Sequence, residues 1–173
     1  MSRQINSPDL NNTVTVIEPT LLTKAFASAL FSGYSPIASG TAGSAVGLAI
    51  YFIPGFESPM IIGIVTLIVC ILGIPAAEAM EKRYGHDPAE VTIDEVVGMW
   101  ISLLFLPKYI LVALAAFVLF RILDIIKPPI SRKFDAMHGG FSIMMDDVIA
   151  GIYANVILQL ALLTPMIRSL LMR

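Results

Sequence analysis

Met60 to Ala77 is an apolar run of about 18 residues without a single charge, long enough as a helix to cross about 30 Å of hydrocarbon. Other apolar stretches are shorter and are set off by strong breakers. Ala45 to Ile53 ends at Pro54-Gly55, a turn signal. Val96 to Leu106 and Tyr109 to Phe120 are parted by Pro107-Lys108, and Val148 to Leu163 stops before Pro165. Leu21 to Phe31 is too short to span and reads as an interfacial or re-entrant helix. The chain is 57% hydrophobic and 14% charged, against about 45–50% and about 25% in soluble domains. The expected fold is therefore all-α: a polytopic helical membrane protein with about four to five short membrane helices arranged as hairpins. Residues 21–173 form one membrane-embedded domain. Residues 1–20 are polar, lack the apolar core of a signal peptide, and read as a mobile tail.

A hairpin returns the chain to the side it left. Two antiparallel helices turning at Pro107 bring several polar stretches to one face: the small-residue loop Ser32–Ser44, the charged loop Glu78–Asp94, the loop Arg121–Gly140 and the start of the last helix. A single kinked helix over 96–120 is the alternative, and it is long for one span. Lys82, Arg83, Arg121, Lys127, Arg132 and Lys133 lie on the polar side, whereas Lys108, Arg168 and Arg173 lie opposite. The positive-inside rule then places the polar face in the cytoplasm.

Six acids border these apolar segments: Asp94, Glu95, Asp124, Asp135, Asp146 and Asp147. An ionised carboxylate there costs a few kcal/mol unless something pairs with it. Asp94-Glu95 opens a helix, where acids also complement the helix dipole. Asp124 is three residues from both Arg121 and Lys127, so the three share a helical face. Asp146-Asp147 is expected to begin the last helix, with Asn155 deeper and in need of a hydrogen-bond partner. Carboxylates gathered without cysteine ligands suit a hard cation such as Mg²⁺.

Other features are less specific. Gly40-Thr41-Ala42-Gly43-Ser44 offers N–H groups and hydroxyls to an anion, while Gly43 and Gly47 also have the spacing of a helix-packing face. His138 suits a softer metal or a general acid, or is an ordinary loop residue. Glu78, Asp87 and Glu90 read as solvated, with Asp87-Pro88 a turn former. Cys70, the one cysteine, reads as a small buried hydrophobe. A net charge of −2 gives no sign of a nucleic-acid partner. A cation transporter using the same acids, or a structural subunit with an interfacial salt-bridge network, also fits these residues.

Taken together, the polar stretches resemble the phosphatidylglycerophosphatase A family. The matching residues are Ser35-Pro36 with Gly40–Ser44, then His86-Asp87-Pro88-Ala89-Glu90 with Ile93–Trp100. They continue with Phe120–Pro128 and with His138-Gly139-Gly140 followed by Met144–Gly151. Ala89 stands where the family's motif has Gly, and Pro129 where some relatives have Trp; neither removes a chemical group. The resemblance implies a Mg²⁺-dependent, multi-pass phosphatase of the bacterial inner membrane. Its substrate would be phosphatidylglycerophosphate, or another lipid or prenyl phosphate. On this reading Asp94, Glu95, Asp124, Asp146 and Asp147 bind metal or activate water. Arg121, Lys127, Arg132 and Thr41 bind the phosphate, and His138 protonates the leaving glycerol oxygen.

Overall fold

Ten consecutive residues, Val91 to Trp100, are buried in the computed structural model, which describes residues 18–56 and 58–173. They open the central helix, and every other long helix packs around it. Among the described residues the regular structure is entirely helical. The helices are α1 (Leu21–Ala27), α2 (Ser39–Tyr51), α3 (Pro59–Tyr84), α4 (Ile93–Leu103), α5 (Ile110–Ile126), α6 (Ser131–Asp135), α7 (Gly140–Leu162) and α8 (Pro165–Leu171), with a 3-10 turn at Ser32–Tyr34. Helix α4 packs against α2, α3, α5 and α7. Its 11 residues extend about 16 Å, too short to cross a bilayer.

Small residues allow this central packing. A Cβ at Gly151 would lie 2.5 Å from the Gly98 carbonyl oxygen, and one at Gly98 would lie 2.6 Å from the Phe120 ring. The α4–α7 crossing is thus backbone against backbone. Gly43 and Gly47 meet α4 in the same way, at Thr92 and Val96, so their spacing serves helix packing. Trp100 Nε1 donates to the Gly47 carbonyl at 2.8 Å and ties the two helices deeper in. Asn155 finds the partners its burial demands: its Nδ2 donates to the carbonyls of Ser102 and Leu104 at 3.1 and 2.7 Å. It thereby caps the C-terminal end of α4.

Helices α3 and α7 are long and apolar enough to cross a membrane. Helix α3 leaves Ile61, Ile64, Leu67, Ile68, Ile71 and Leu72 exposed, a surface that water does not favour. The other helices fall short of that length, so among the described residues two membrane-length helices stand where four to five short spans are expected. The turn at Pro107 does separate two helices. Arg121 near the end of α5 reaches Glu95 at the start of α4, so the pair is antiparallel. At the opposite end a cavity brings together Pro59, Pro107, Leu162 and Arg168.

Several boundaries differ from expectation. Helix α2 begins at Ser39, so Gly40–Ser44 lies within helix. Helix α3 runs through Pro75 to Tyr84 and absorbs Glu78, Glu81, Lys82 and Arg83, with Gly85 stopping it. Helix α7 begins at Gly140, two turns before Asp146-Asp147, so those acids occupy a helix interior. The expected tail over residues 1–20 falls, as far as residue 17, outside the described residues. Its last three residues are docked: Pro19 is buried, and Glu18 bonds to Lys24 and Arg83.

Candidate active site

The antiparallel α4–α5 pair and the α4–α7 crossing set four short segments side by side. They are the first turn of α4 with Asp94 and Glu95, the last turn of α5 with Arg121 and Asp124, the second turn of α7 with Asp146 and Asp147, and the start of α2. An open cavity of about 350 Å³ lies between them. Ser39, Gly40, Asp94, Glu95, Asp124, Lys127, Asp146 and Asp147 line it, together with the loop residues Asp87, Pro88 and Ala89.

The carboxylates fall into two groups. In the first, one oxygen each of Glu95, Asp124 and Asp147 lie within 4.8 Å of one another. Arg121 is their cation: its Nη1 donates to Glu95 Oε2, stands 3.3 Å from Asp124 Oδ2, and reaches Ser44 Oγ at 3.3 Å. Ser44 in turn donates to Glu95 Oε2 at 3.1 Å. Gly40 makes room for this arrangement, since a Cβ there would collide with the Glu95 carboxylate and stand 2.9 Å from Arg121 Nη2. In the second group Lys127 bonds to Asp135 and, at 2.7 Å, to Asp146, whose other oxygen accepts from Ser131.

Lys127 ends α5 with a left-handed backbone, φ 52°, a conformation that usually favours Gly or Asn. The strain persists because its two carboxylate partners hold the side chain. Burial alone would lower its pKa, but the bonds to Asp135 and Asp146 outweigh burial and hold the ammonium above the ordinary lysine value. It stays charged throughout the physiological range.

Charge is unbalanced here. Seven carboxylates (Asp87, Asp94, Glu95, Asp124, Asp135, Asp146 and Asp147) face two cations, Arg121 and Lys127. Carboxylates so close cannot all ionise without further positive charge. Asp147 Oδ2 is buried without a hydrogen-bond partner, which leaves part of its desolvation cost uncompensated. A cation among Glu95, Asp124 and Asp147 relieves both problems. The donors are all oxygens, the set that suits hard cations. These residues therefore fit a bound metal ion.

The structure brings Asp94, Glu95, Asp124, Asp146, Asp147 and Lys127 to one cavity, with Arg121 braced behind it. Three sequence-predicted site residues lie elsewhere. Thr41 does not line the cavity, because it falls on another face of α2 from Gly40 and Ser44. Arg132 is exposed and donates to the Ile126 carbonyl at 3.2 Å, capping α5. His138 is 79% exposed at its side chain and bonds to Glu81, outside the cavity, because α7 already begins at Gly140. Conversely, Asp87 stands on the cavity wall although its sequence reads as a solvated turn. Its left-handed φ of 43° before Pro88 bends the loop over the site. Ser44 and Gly40 were legible only as part of an anion-binding loop.

Carboxylates from three helices beside a guanidinium, at the polar end of a bundle that is all-helical among the described residues, define a helical protein with a site for a hard cation. A family model described as Phosphatidylglycerophosphatase A matches residues 25–162. The chain is 38% identical over 130 residues to Phosphatidylglycerophosphatase A of Escherichia coli strain K12, covering 73% of this chain and 76% of the relative. The Haemophilus influenzae protein of the same name is 35% identical over 143 residues, 79% of this chain and 84% of the relative. A Bacteroides thetaiotaomicron protein, provisionally named a phosphatidylinositol-3-phosphatase, is 38% identical over 151 residues, 83% and 95% of the two chains. No solved structure matches significantly. The chain belongs to the phosphatidylglycerophosphatase A family, and it is a phosphatase.

Proposed function

We propose that this phosphatase hydrolyses phosphatidylglycerophosphate to phosphatidylglycerol and inorganic phosphate, using Mg²⁺. The observation that carries the reading is the convergence of Glu95, Asp124 and Asp147 from three helices beside Arg121. The names of two relatives supply the substrate. Glu95, Asp124 and Asp147 would hold Mg²⁺, with Asp94 and Asp146 on the cavity wall beside them. When bound, the ion supplies positive charge to the phosphoryl oxygens.

The chain's own residues do the remainder. Arg121 fixes the Glu95 and Asp124 carboxylates through its Nη1, with the permanent charge of a guanidinium. Lys127, held charged, neutralises a phosphate entering from the open side. Asp94 lines the cavity with one oxygen engaged by the Glu95 N–H at 3.0 Å and serves as the general base. It takes the proton of the attacking water as the water oxygen bonds to phosphorus. The ester P–O bond breaks, and the glycerol oxygen leaves with a proton from solvent in the open cavity.

The same reading places the protein in a bacterial inner membrane with its site on the cytoplasmic face. Helices α3 and α7 cross, and α5 lies against lipid along Leu111, Leu114, Val118, Ile122 and Ile125, which are exposed at helical spacing. The acyl chains then stay in the bilayer while the head group enters the polar end. A transporter would need acids along the length of its spans, but these gather at one end.

Phosphate release from phosphatidylglycerophosphate in detergent, with Mg²⁺, with EDTA, and with Asp124→Ala, tests the proposal. Release should require both the ion and Asp124. Full release by a folded Asp124→Ala protein would sink the assignment. The Bacteroides relative's name favours a second substrate, phosphatidylinositol 3-phosphate. Running both lipids side by side decides which head group turns over faster.

A further inference from the structure

A second cluster of ligating side chains lies on the same end of the molecule, outside the cavity. Glu81 sits in the last turn of α3, His86 in the loop that follows, and His138 just before α7. One ligand atom of each lies within 4.8 Å of the others. None of the three lines the carboxylate cavity. Glu81 Oε1 receives both imidazoles, His86 Nδ1 at 3.0 Å and His138 Nδ1 at 3.2 Å, with ring centroids 4.3 Å apart.

The distances suit a metal. Tetrahedral Zn²⁺ with bonds of about 2.0–2.1 Å sets its ligand atoms roughly 3.3 Å apart. The two Nδ1–Oε1 separations, 3.0 and 3.2 Å, lie within a few tenths of an ångström of that. The outer partners that such a site requires are also present. A ligating histidine generally donates its other ring N–H to a backbone carbonyl or carboxylate, and a ligating carboxylate is itself hydrogen-bonded. His86 Nε2 faces the Asp135 carbonyl at 3.2 Å, and Glu81 Oε2 accepts the Gly139 N–H at 2.7 Å. Glu81 is the fixed member, with 10% of its side chain exposed; His86 and His138 are open to solvent at 40% and 79%.

We propose that Glu81, His86 and His138 form a transition-metal site of the Zn²⁺ type, distinct from the all-oxygen site in the cavity. Nitrogen donors select a borderline-soft ion over Mg²⁺. Three protein ligands leave a fourth position to water. The site joins the end of α3 to the start of α7 and pins the loop that carries Asp87, one residue after His86, onto the cavity wall. A small neighbouring cavity lined by His86, Asp87, Asp135, Ile143 and Asp146 links the two regions.

The test uses the full chain in detergent, stripped of metal and then supplied with excess Mg²⁺. It is titrated with Zn²⁺ by calorimetry and with Co²⁺ by visible absorption. Wild type should take up one Zn²⁺ that Mg²⁺ does not displace, and Co²⁺ should give the intense visible bands of a four- or five-coordinate ion. His86→Ala and His138→Ala should each weaken that binding at least ten-fold, and the double variant should lose the bands. Glu81→Gln keeps an acceptor for the Gly139 N–H and should weaken binding likewise, which guards against misfolding of a histidine variant. Asp124→Asn should leave the Zn²⁺ affinity unchanged. Wild-type Zn²⁺ affinity in the folded double variant, or no stoichiometric uptake by wild type, would overturn the proposal.

Discussion

Gly151→Ala should disable the enzyme more than it destabilises the fold. The added Cβ would stand 2.5 Å from the Gly98 carbonyl oxygen and 3.2 Å from Gly98 C and Cα, where ordinary contact begins at 3.4 Å. The obstacle is helix backbone, which has no rotamer to escape into. Relief therefore needs α7 to move from α4 by about 0.9 Å, the shortfall between those two distances. Asp147 lies one turn before Gly151 on α7, and Glu95 one turn before Gly98 on α4, so the displacement falls on the carboxylates that converge within 4.8 Å. Overpacking of this kind costs about 1–3 kcal/mol, offset by roughly 0.5–1 kcal/mol for replacing a helical glycine with alanine. Misplacing positioned groups by about 1 Å costs on the order of 100-fold in rate. The assay is phosphate release per folded chain from phosphatidylglycerophosphate, with the folded fraction taken from thermal unfolding in detergent. Gly63→Ala is the control, because its Cβ would meet only Leu104 Cδ2 at 3.9 Å; it should leave the rate unchanged and raise stability by roughly 0.5–1 kcal/mol. If Gly151→Ala kept more than half of the wild-type kcat, helix approach would not be what sets the site's geometry. A rate loss matching the loss of folded protein would refute the reasoning equally.

Two further outcomes follow from particular bonds. Asn155→Ala strips two carbonyls at the end of α4 of their donor and should cost roughly 2–3 kcal/mol, read as a lower unfolding temperature in detergent, whereas Asn155→Asp should cost at least as much because it sets a carboxylate oxygen against those carbonyls. The carboxyl of Glu18 is held below its ordinary value of 4.5 by its hydrogen bonds to Arg83 and then to Lys24. A depressed carboxyl stabilises the folded state above the unfolded pKa and loses that contribution as pH falls through the folded one. The docking of residues 18–20 should therefore weaken only as pH drops below 4.5; a carboxyl ¹³C titration of Glu18 with its midpoint at or above that value would show that the ion pairs do not form.

The site was legible in the sequence to the extent that its cost was. Carboxylates beside membrane-length apolar runs demand partners, and Asp94, Glu95, Asp124, Asp146 and Asp147 do line one cavity. Hairpin logic also brings the right ends of α4 and α5 together, because the chain does turn between Leu103 and Ile110, around Pro107. Helix boundaries failed where tertiary contact outweighs local pattern. Pro75 leaves α3 unbroken, and Lys82-Arg83 ahead of Gly85 was the available sign that the helix runs on: basic residues in a last turn and a glycine past the end. Reading that stretch as loop hid Glu81, which the helix orients toward His86 and His138. At α7 the acid pair looked like a helix start because acids interrupt the apolar pattern. The helix instead starts at Gly140, whose Cβ position is taken by the Ile74 carbonyl, a close approach between helices distant in sequence that no local signal encodes. That two-turn error explains the misplacement of His138. Were α7 to begin at Asp146, the residues before it would form a loop free to fold His138 over the carboxylates. With Gly140 locked against α3, His138 is held at the C-terminal end of α3, where Glu81 is the acid within reach.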